Sequence, residues 1–369
     1  MINRLYVDNY KCLVNFDLKL DELSLLLGPN GVGKSSVLDV IFALRQLLGG
    51  SAKVTDKDIF PTSTLTRWQD RDTQVFELGV SLKDDPDLVY RLEVEHDRPA
   101  RRARIVLERL TAEGKPLFEF NAGDVHLYRD NYSSGPVYSA DWSESAMARV
   151  GDRHDNRRLN RFLDFIRKIL VCGLYPQKFT TESTSEDPLL DRDGQNFSAW
   201  YRHIFQERQD LVPEYINALR DVIDGFSGIR LEKVGQETRA FMVIFEENDK
   251  RYELRLNELS DGQRALIALY ALVFVTAGQG YTLFLDEPDN YIALPEIQPW
   301  LIELSDAVGD RLPQAVICSH HPELIDYLGI DRGLLLQREI TGVITVRRPE
   351  YKDTDGLKLS ELVARGWEQ

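Results

Sequence analysis

Residues 23–48, LSLLLGPNGVGKSSVLDVIFALRQLL, decide how the rest of the chain is read. Leu23 to Leu27 is an unbroken apolar run, the pattern of a strand covered on both faces in a parallel or mixed sheet. Gly28 to Gly33 is a turn of glycine, proline and asparagine. Ser36 to Leu48 then has helical spacing and stops at Gly49-Gly50. Gly28 to Ser35 fits GxxxxGK[ST] between a buried strand and a helix, the context in which that pattern cradles phosphate. Consecutive backbone N–H groups and a helix N-terminus must face an anion, and glycines let the chain come that close. The candidate binding residues are therefore Gly28, Pro29, Asn30, Gly31, Val32, Gly33, Lys34, Ser35 and Ser36. Lys34 would pair with β- and γ-phosphates and the Ser35 hydroxyl would ligate Mg²⁺. The competing reading, a glycine turn that only caps a helix, is disfavoured by the flanks.

Composition limits what this loop can belong to. The chain has 369 residues, 43% hydrophobic and 28% charged, with 45 Lys+Arg against 60 Asp+Glu for a net charge of −15. That describes an ordinary folded protein of two or three lobes, not a disordered chain, collagen or a membrane bundle. The acidic field repels nucleic acid and anionic lipid, so DNA contact requires a local basic patch. Cys12, Cys172 and Cys318 lie far apart, which argues against a disulfide framework or zinc cluster and for the cytoplasm. The first residues lack an apolar core after a basic start, so no signal peptide is expected. The longest apolar run, Ala265 to Gly278, is too short to cross a bilayer, and no membrane partner is expected.

Outward from the loop, Leu5 to Val7 and Phe16 to Leu20 read as strands. Residues 51–74 are polar and irregular. Five alternating segments, Phe76 to Leu82, Val89 to Val94, Arg104 to Leu110, Leu117 to Phe120 and Val125 to Tyr128, predict an antiparallel β arm. Residues 129–160 read as loop and short helix, and Ile169 to Tyr175 as a strand. After the polar stretch Lys178 to Asn196 come helices at Phe197 to Gln209 and Pro213 to Ile223, a hairpin from Ile229 to Phe245, and a strand Tyr252 to Leu256. A helix at Gln263 to Val275 and strands at Thr282 to Leu285 and Ala315 to Cys318 follow, then a helix at Pro322 to Leu328 and a hairpin at Gly333 to Arg348. No repeat or sustained heptad occurs.

Three further motifs carry chemistry. Tyr281 to Leu285 followed by Asp286-Glu287 has a Walker B form: an apolar strand holds two carboxylates at its end, Asp286 organising Mg²⁺ and Glu287 taking a proton from water. A strand ending in an acidic turn is also common on purely structural grounds. Leu259-Ser260-Asp261-Gly262-Gln263 precedes a helix, with Ser260 and Gln263 at capping-box spacing, and the same cap can hold an anion. Ser319-His320 ends the strand after Walker B.

In this order the four motifs resemble the ATP-binding-cassette class of ATPases. Within it the chain is similar to RecF/SMC-related AAA ATPases without a coiled coil, the OLD-like kind lacking a Toprim domain. Further echoes are Asp8-Asn9-Tyr10-Lys11, Asp193-Gly194-Gln195-Asn196, Gly225-Phe226 and His321-Pro322-Glu323-Leu324-Ile325. The resemblance implies an α/β fold like an SMC head, a P-loop ATPase with a mixed sheet, an antiparallel β arm and a helical signature lobe. Lobe I would be 1–178, lobe II 179–278 with the signature, and 279–369 would complete lobe I. It implies ATP and Mg²⁺ as cofactors, Glu287 and His320 as catalytic residues, and Ser35 and Asp286 on the metal. Ser260, Gly262 and Gln263 would act on the nucleotide of the opposite protomer in a head-to-tail homodimer or higher homo-oligomer. Gln177 is the candidate Q-loop glutamine on the metal, a solvent-facing role being the alternative. Relatives usually carry an acidic-Asn or acidic-Thr pair and a Leu-His-Pro-like turn where this chain has Asp289 to Leu294.

Lys34 and Ser260 are 226 residues apart, Ser260 and Asp286 only 26. RecF-like and SMC-like proteins insert material in the first interval, whereas transporter subunits are compact there. The 49 residues after His320 are too few for a Toprim nuclease. The expectation is an ATPase that gates a separately encoded effector, such as a Toprim or HNH nuclease, in antiphage defence. A RecF-like DNA-repair clamp is the alternative and a transporter subunit a more distant one. Two stretches of net charge +4, Arg98 to Arg109 and Arg149 to Lys168, could meet DNA, though charge runs are usually solvated faces.

Overall fold

Alternation between buried and exposed positions builds the first strands of the protein, whose computed structural model describes residues 1–349 and 358–365. β1 (Ile2–Asp8) and β2 (Phe16–Lys19) pair antiparallel, Leu5 opposite Leu18. β3 (Leu23–Leu27) is buried at all five positions, as its apolar run predicts. α1 (Lys34–Leu48) buries one face and ends where the Gly49 N–H bonds the Arg45 carbonyl. Beyond an irregular stretch, β4 (Thr73–Val80), β5 (Leu88–Asp97), β6 (Arg102–Ala112), β7 (Lys115–Asn121) and β8 (Asp124–Tyr128) form the expected antiparallel arm.

The arm continues into strand β9 (Ser134–Ser139), within the stretch expected to be loop and short helix. Gly135 and Pro136 hide it in the sequence, but a strand hydrogen-bonded on one side tolerates a missing N–H. The arm is also continuous with the opening strands, giving one eight-stranded sheet in the order β2-β1-β4-β5-β6-β7-β8-β9. α2 (Arg157–Arg167) follows.

Two units emerge among the described residues, one of 1–169 with 328–349 and one of 170–327 with 358–365. The second opens at Leu170, within β10 (Ile169–Cys172), followed by β11 (Glu182–Ser183), α3 (Phe197–Glu207), α4 (Val212–Arg220) and the antiparallel strands β12 (Phe226–Lys233), β13 (Arg239–Glu247) and β14 (Lys250–Arg255). α5 (Asp261–Phe274) is buried continuously from Ala265 to Phe274. Two large side chains fix its neighbours: the Tyr215 hydroxyl donates to the Ile267 carbonyl at 2.8 Å, and the Trp300 indole N–H to the Leu269 carbonyl at 3.1 Å. Burying such rings stabilises by about 1.5–3 kcal/mol each only if their polar tips are satisfied.

β15 (Thr282–Asp286) and β16 (Gln314–Cys318) run parallel with Asp286 opposite Cys318. Between them lies α6 (Leu294–Ala307), where periodicity suggests no element because Pro295 and Pro299 interrupt it. Pro295 sits in the first turn, where an N–H has no partner in any case. After α7 (Pro322–Arg332) the chain adds β17 (Gly333–Arg338), parallel to β3, and β18 (Ile344–Arg347), antiparallel to β17. The fold is thus α/β with parallel and antiparallel pairings. The last described helix, α8 (Leu359–Arg365), is tied by Ser360 to Asp326. Among the described residues no helix is long and apolar enough to cross a membrane.

Candidate functional site

The loop after β3 takes its shape from two constraints. Gly28 has φ +138°, and a Cβ there would lie 2.4 Å from the Leu336 carbonyl oxygen, so no other residue fits between loop and β17. α1 begins just after Gly33, with no side-chain cap and no acidic residue in its first turn. Its N-terminal N–H groups and their partial positive charge are therefore unopposed by any nearby carboxylate of the helix itself. Lys34 is buried and its Nζ donates to the carbonyls of Gly28 at 2.8 Å and Pro29 at 3.4 Å, folding the ammonium over the loop. Pro29, Asn30, Gly31 and Ser35 are exposed, while Val32 is buried. From β17, Arg338 donates to the Gly31 carbonyl at 3.2 Å, a contact the sequence does not announce.

In the other unit β15 delivers Asp286 to its C-terminal end, and Glu287 turns out of the strand at φ +46°. The Glu287 N–H bonds the Cys318 carbonyl at 2.8 Å, so β16 holds the turn. That register brings the ends of β15 and β16 together: His320 Nε2 is 3.9 Å from Glu287 Oε1. Asn290 Nδ2 donates to Glu287 Oε2 at 2.9 Å. Burial pushes the Asp289 carboxyl above the ordinary aspartate range, opposed by a hydrogen bond with Ser319. The Ser319 hydroxyl in turn accepts the His321 N–H at 2.9 Å.

The signature segment forms the expected capping box. Ser260 Oγ accepts from the Gln263 N–H at 3.2 Å, and Gln263 Oε1 accepts from the Ser260 N–H at 3.1 Å. Gly262 is needed for a separate reason: a Cβ there would stand 2.8 Å from the carbonyl oxygen of Tyr291. Gln177, in the short turn Pro176–Lys178, donates to Asp261 Oδ2 at 2.5 Å. Arg264 joins the same cluster, pairing with Asp261 and donating to the Pro176 carbonyl at 2.7 Å.

Residues 28–36 thus come together in the first unit. Gln177, Ser260, Gly262, Gln263, Asp286, Glu287 and His320 all fall in the second. Asn290 escapes sequence reasoning because an asparagine two residues past a proline reads as turn chemistry. Among the described residues no group of three or more His, Cys, Asp or Glu side chains could hold a metal ion. A Mg²⁺ held by one carboxylate, one hydroxyl and phosphate needs no such group. The basic stretches are largely paired: Arg98 with Asp72, Arg104 with Glu95, Arg109 with Glu119, Arg149 with Glu144, Arg161 with Asp85 and Arg167 with Asp164. Glu108, in the first stretch, is fully buried; burial raises its carboxyl above the usual range, against hydrogen bonds from Ser145, the Met147 N–H and Tyr90.

A glycine loop on a strand–helix turn, a strand ending in Asp286-Glu287 and a capped helix after Ser260 stand on an α/β scaffold with the SMC-head-like fold of P-loop proteins. Solved structures share the fold. An SMC head bound to the C-terminal winged-helix domain of ScpA has a TM-score of 0.57 at 13% identity, over 96% of this chain and 99% of that one. An SMC head with an extended coiled coil, bound to the C-terminal domain of ScpA from Pyrococcus furiosus, has a TM-score of 0.53 at 12% identity over 100% and 98%. An OLD nuclease of Thermus scotoductus is 46% identical over 41 residues, 11% of this chain and only 8% of that protein. The model of the family described as "AAA domain, putative AbiEii toxin, Type IV TA system" matches residues 23–326, and the chain belongs to this family.

Proposed function

We propose that the protein binds and hydrolyses ATP, closes head to tail on a second copy around the nucleotide, and thereby gates a separate effector, a nuclease, in antiphage defence. Lys34 and the loop N–H groups take the β- and γ-phosphates, Ser35 and Asp286 take Mg²⁺, with Gln177 as its third protein contact, and Glu287 accepts the proton of the attacking water. Bound Mg²⁺ supplies neutralisation of charge on the phosphate oxygens. His320 senses the γ-phosphate, and Ser260, Gly262 and Gln263 address the nucleotide of the partner. In this reading lobe I is 1–178 completed by 279–369, and lobe II is 179–278.

The phosphate loop carries the proposal: an uncapped α1 N-terminus without a first-turn acid, closed by a buried lysine whose ammonium folds onto the loop. An anion is what such a terminus favours. The effector draws on the family's description, "putative AbiEii toxin, Type IV TA system", and on the short likeness to a nuclease.

Glu287→Gln tests it. This variant keeps the pocket and removes the base, so it should bind ATP, lose about 10²–10⁴-fold in turnover and accumulate as a dimer by light scattering. Wild-type turnover, or a monomer at saturating ATP, would sink the reading.

A further inference from the structure

Among the described residues the Glu287 carboxylate accepts a side-chain hydrogen bond at one oxygen, Oε2. Oε2 accepts from Asn290 Nδ2 at 2.9 Å, whereas Oε1 faces His320 Nε2 at 3.9 Å, beyond hydrogen-bond reach. A carboxylate is acceptor-only, so the amide must present its NH₂ group. The Glu287 side chain is 41% exposed, and an untethered glutamate at such a site samples several rotamers. The backbone prepares the tie. Glu287 at φ +46° and the Asn290 N–H bonded to the Glu287 carbonyl at 3.1 Å form a turn that sets the two side chains side by side.

We propose that Asn290 is a positioning residue for hydrolysis: it pins Oε2 of Glu287 so that Oε1 is the oxygen presented to the attacking water. The inference rests on the reading of Glu287 as the base. In the step it serves, the water oxygen bonds to the γ-phosphorus, the bond from that phosphorus to the β,γ-bridging oxygen breaks, and the water's proton passes to Oε1 as ADP leaves. Asn290 touches neither nucleotide nor water. Its contribution is to hold one rotamer, and misplacement of a base by about 1 Å can reduce rate up to about 10²-fold.

Asn290→Asp is the test, because it is isosteric and replaces the donor by a second acceptor that repels Glu287. ATP turnover, affinity for a fluorescent ATP analogue and the melting midpoint are measured for N290D, E287Q and the double variant. Turnover of N290D should fall about tenfold or more with affinity and midpoint unchanged. In the E287Q background the same substitution should leave the residual rate unchanged, since nothing remains to position. Wild-type turnover in N290D beside an inactive E287Q overturns the inference alone. So does a parallel loss of ATP affinity, or an equal loss in the E287Q background, either of which marks a merely structural asparagine. Wild-type turnover in E287Q overturns the assignment of the base and this inference with it.

Discussion

His320 stands with Nε2 3.9 Å from Oε1 of Glu287, at the carboxylate oxygen that Asn290 does not hold. The parallel register of β15 on β16, Asp286 opposite Cys318, produces this neighbourhood: residues just past the ends of adjacent parallel strands emerge side by side. Strand C-terminal ends are where open α/β sheets assemble their chemistry, because the turns there are free to vary while the strands stay rigid.

From that relationship follows the effect of His320→Ala. The imidazole is beyond hydrogen-bond reach of Glu287, so its removal should leave ATP affinity within about twofold and lower turnover about 10²-fold, the scale on which one charge-stabilising donor acts. Turnover and nucleotide affinity, measured side by side, check it. Equal losses in both would make the histidine a binding residue.

Gly262→Ala tests why the signature carries glycine. Overpacking against the Tyr291 carbonyl, 2.8 Å from the new Cβ, costs about 1–3 kcal/mol, while removing a glycine from a helix returns only about 0.5–1 kcal/mol. A lower melting midpoint is expected. Tyr291 follows Asn290 directly, so turnover should fall more than ATP affinity. An unchanged midpoint would show that the loop after Pro288 yields freely.

The strands and helices of this fold were legible where burial is uniform or regularly patterned: the run Leu23 to Leu27, the alternating arm, and the helix after Ser260. α6 and β9 were not, because Pro295, Pro299 and Pro136 break the pattern: Pro295 and Pro136 sit where the folded chain does not need the missing N–H, whereas Pro299 lies inside α6 and costs it one i→i−4 hydrogen bond. The glycine loop before α1 and the capping box of α5 were visible because their geometry is local in sequence. The contacts of Asn290 with Glu287 and of Gly262 with Tyr291 depend on a left-handed turn at non-glycine residues, Glu287 at φ +46° and Tyr291 at φ +76°, which no residue type announces.

The two basic stretches should contribute little to DNA affinity. Arg109 meets Glu119 at 2.6 Å, Arg149 meets Glu144 at 2.6 Å and Arg161 meets Asp85 at 2.8 Å, so their charge is neutralised within the protein's own surface. Each phosphate contact adds about 0.9 to the slope of log affinity against log salt. The triple alanine variant of these arginines should leave that slope unchanged on duplex DNA. A fall of about two or more would assign them to the nucleic acid.

His96 makes stability depend on pH. Its ring is buried on β5 with Nε2 2.9 Å from Gln74 Oε1, and Gln74 passes its own amide to the Asn9 carbonyl and Thr64 hydroxyl. Nε2 thus donates, and the buried Nδ1 has no hydrogen-bond partner among the described residues. Burial lowers the imidazole from 6.5 to about 4, Asp72 opposing and Arg98 adding to the shift. The unfolded chain takes up the proton near 6.5 while the folded one resists until about 4. Between those values the unfolded state binds more protons, so stability is complete above 6.5 and declines as pH falls toward 4. At about 1.4 kcal/mol per unit the full loss is at most about 3.5 kcal/mol. His96→Leu should be less stable above 6.5, because Gln74 Oε1 loses its donor, yet should lose less on acidification across this window. Urea midpoints taken through it decide the matter: parallel declines in variant and wild type would place the acid sensitivity elsewhere.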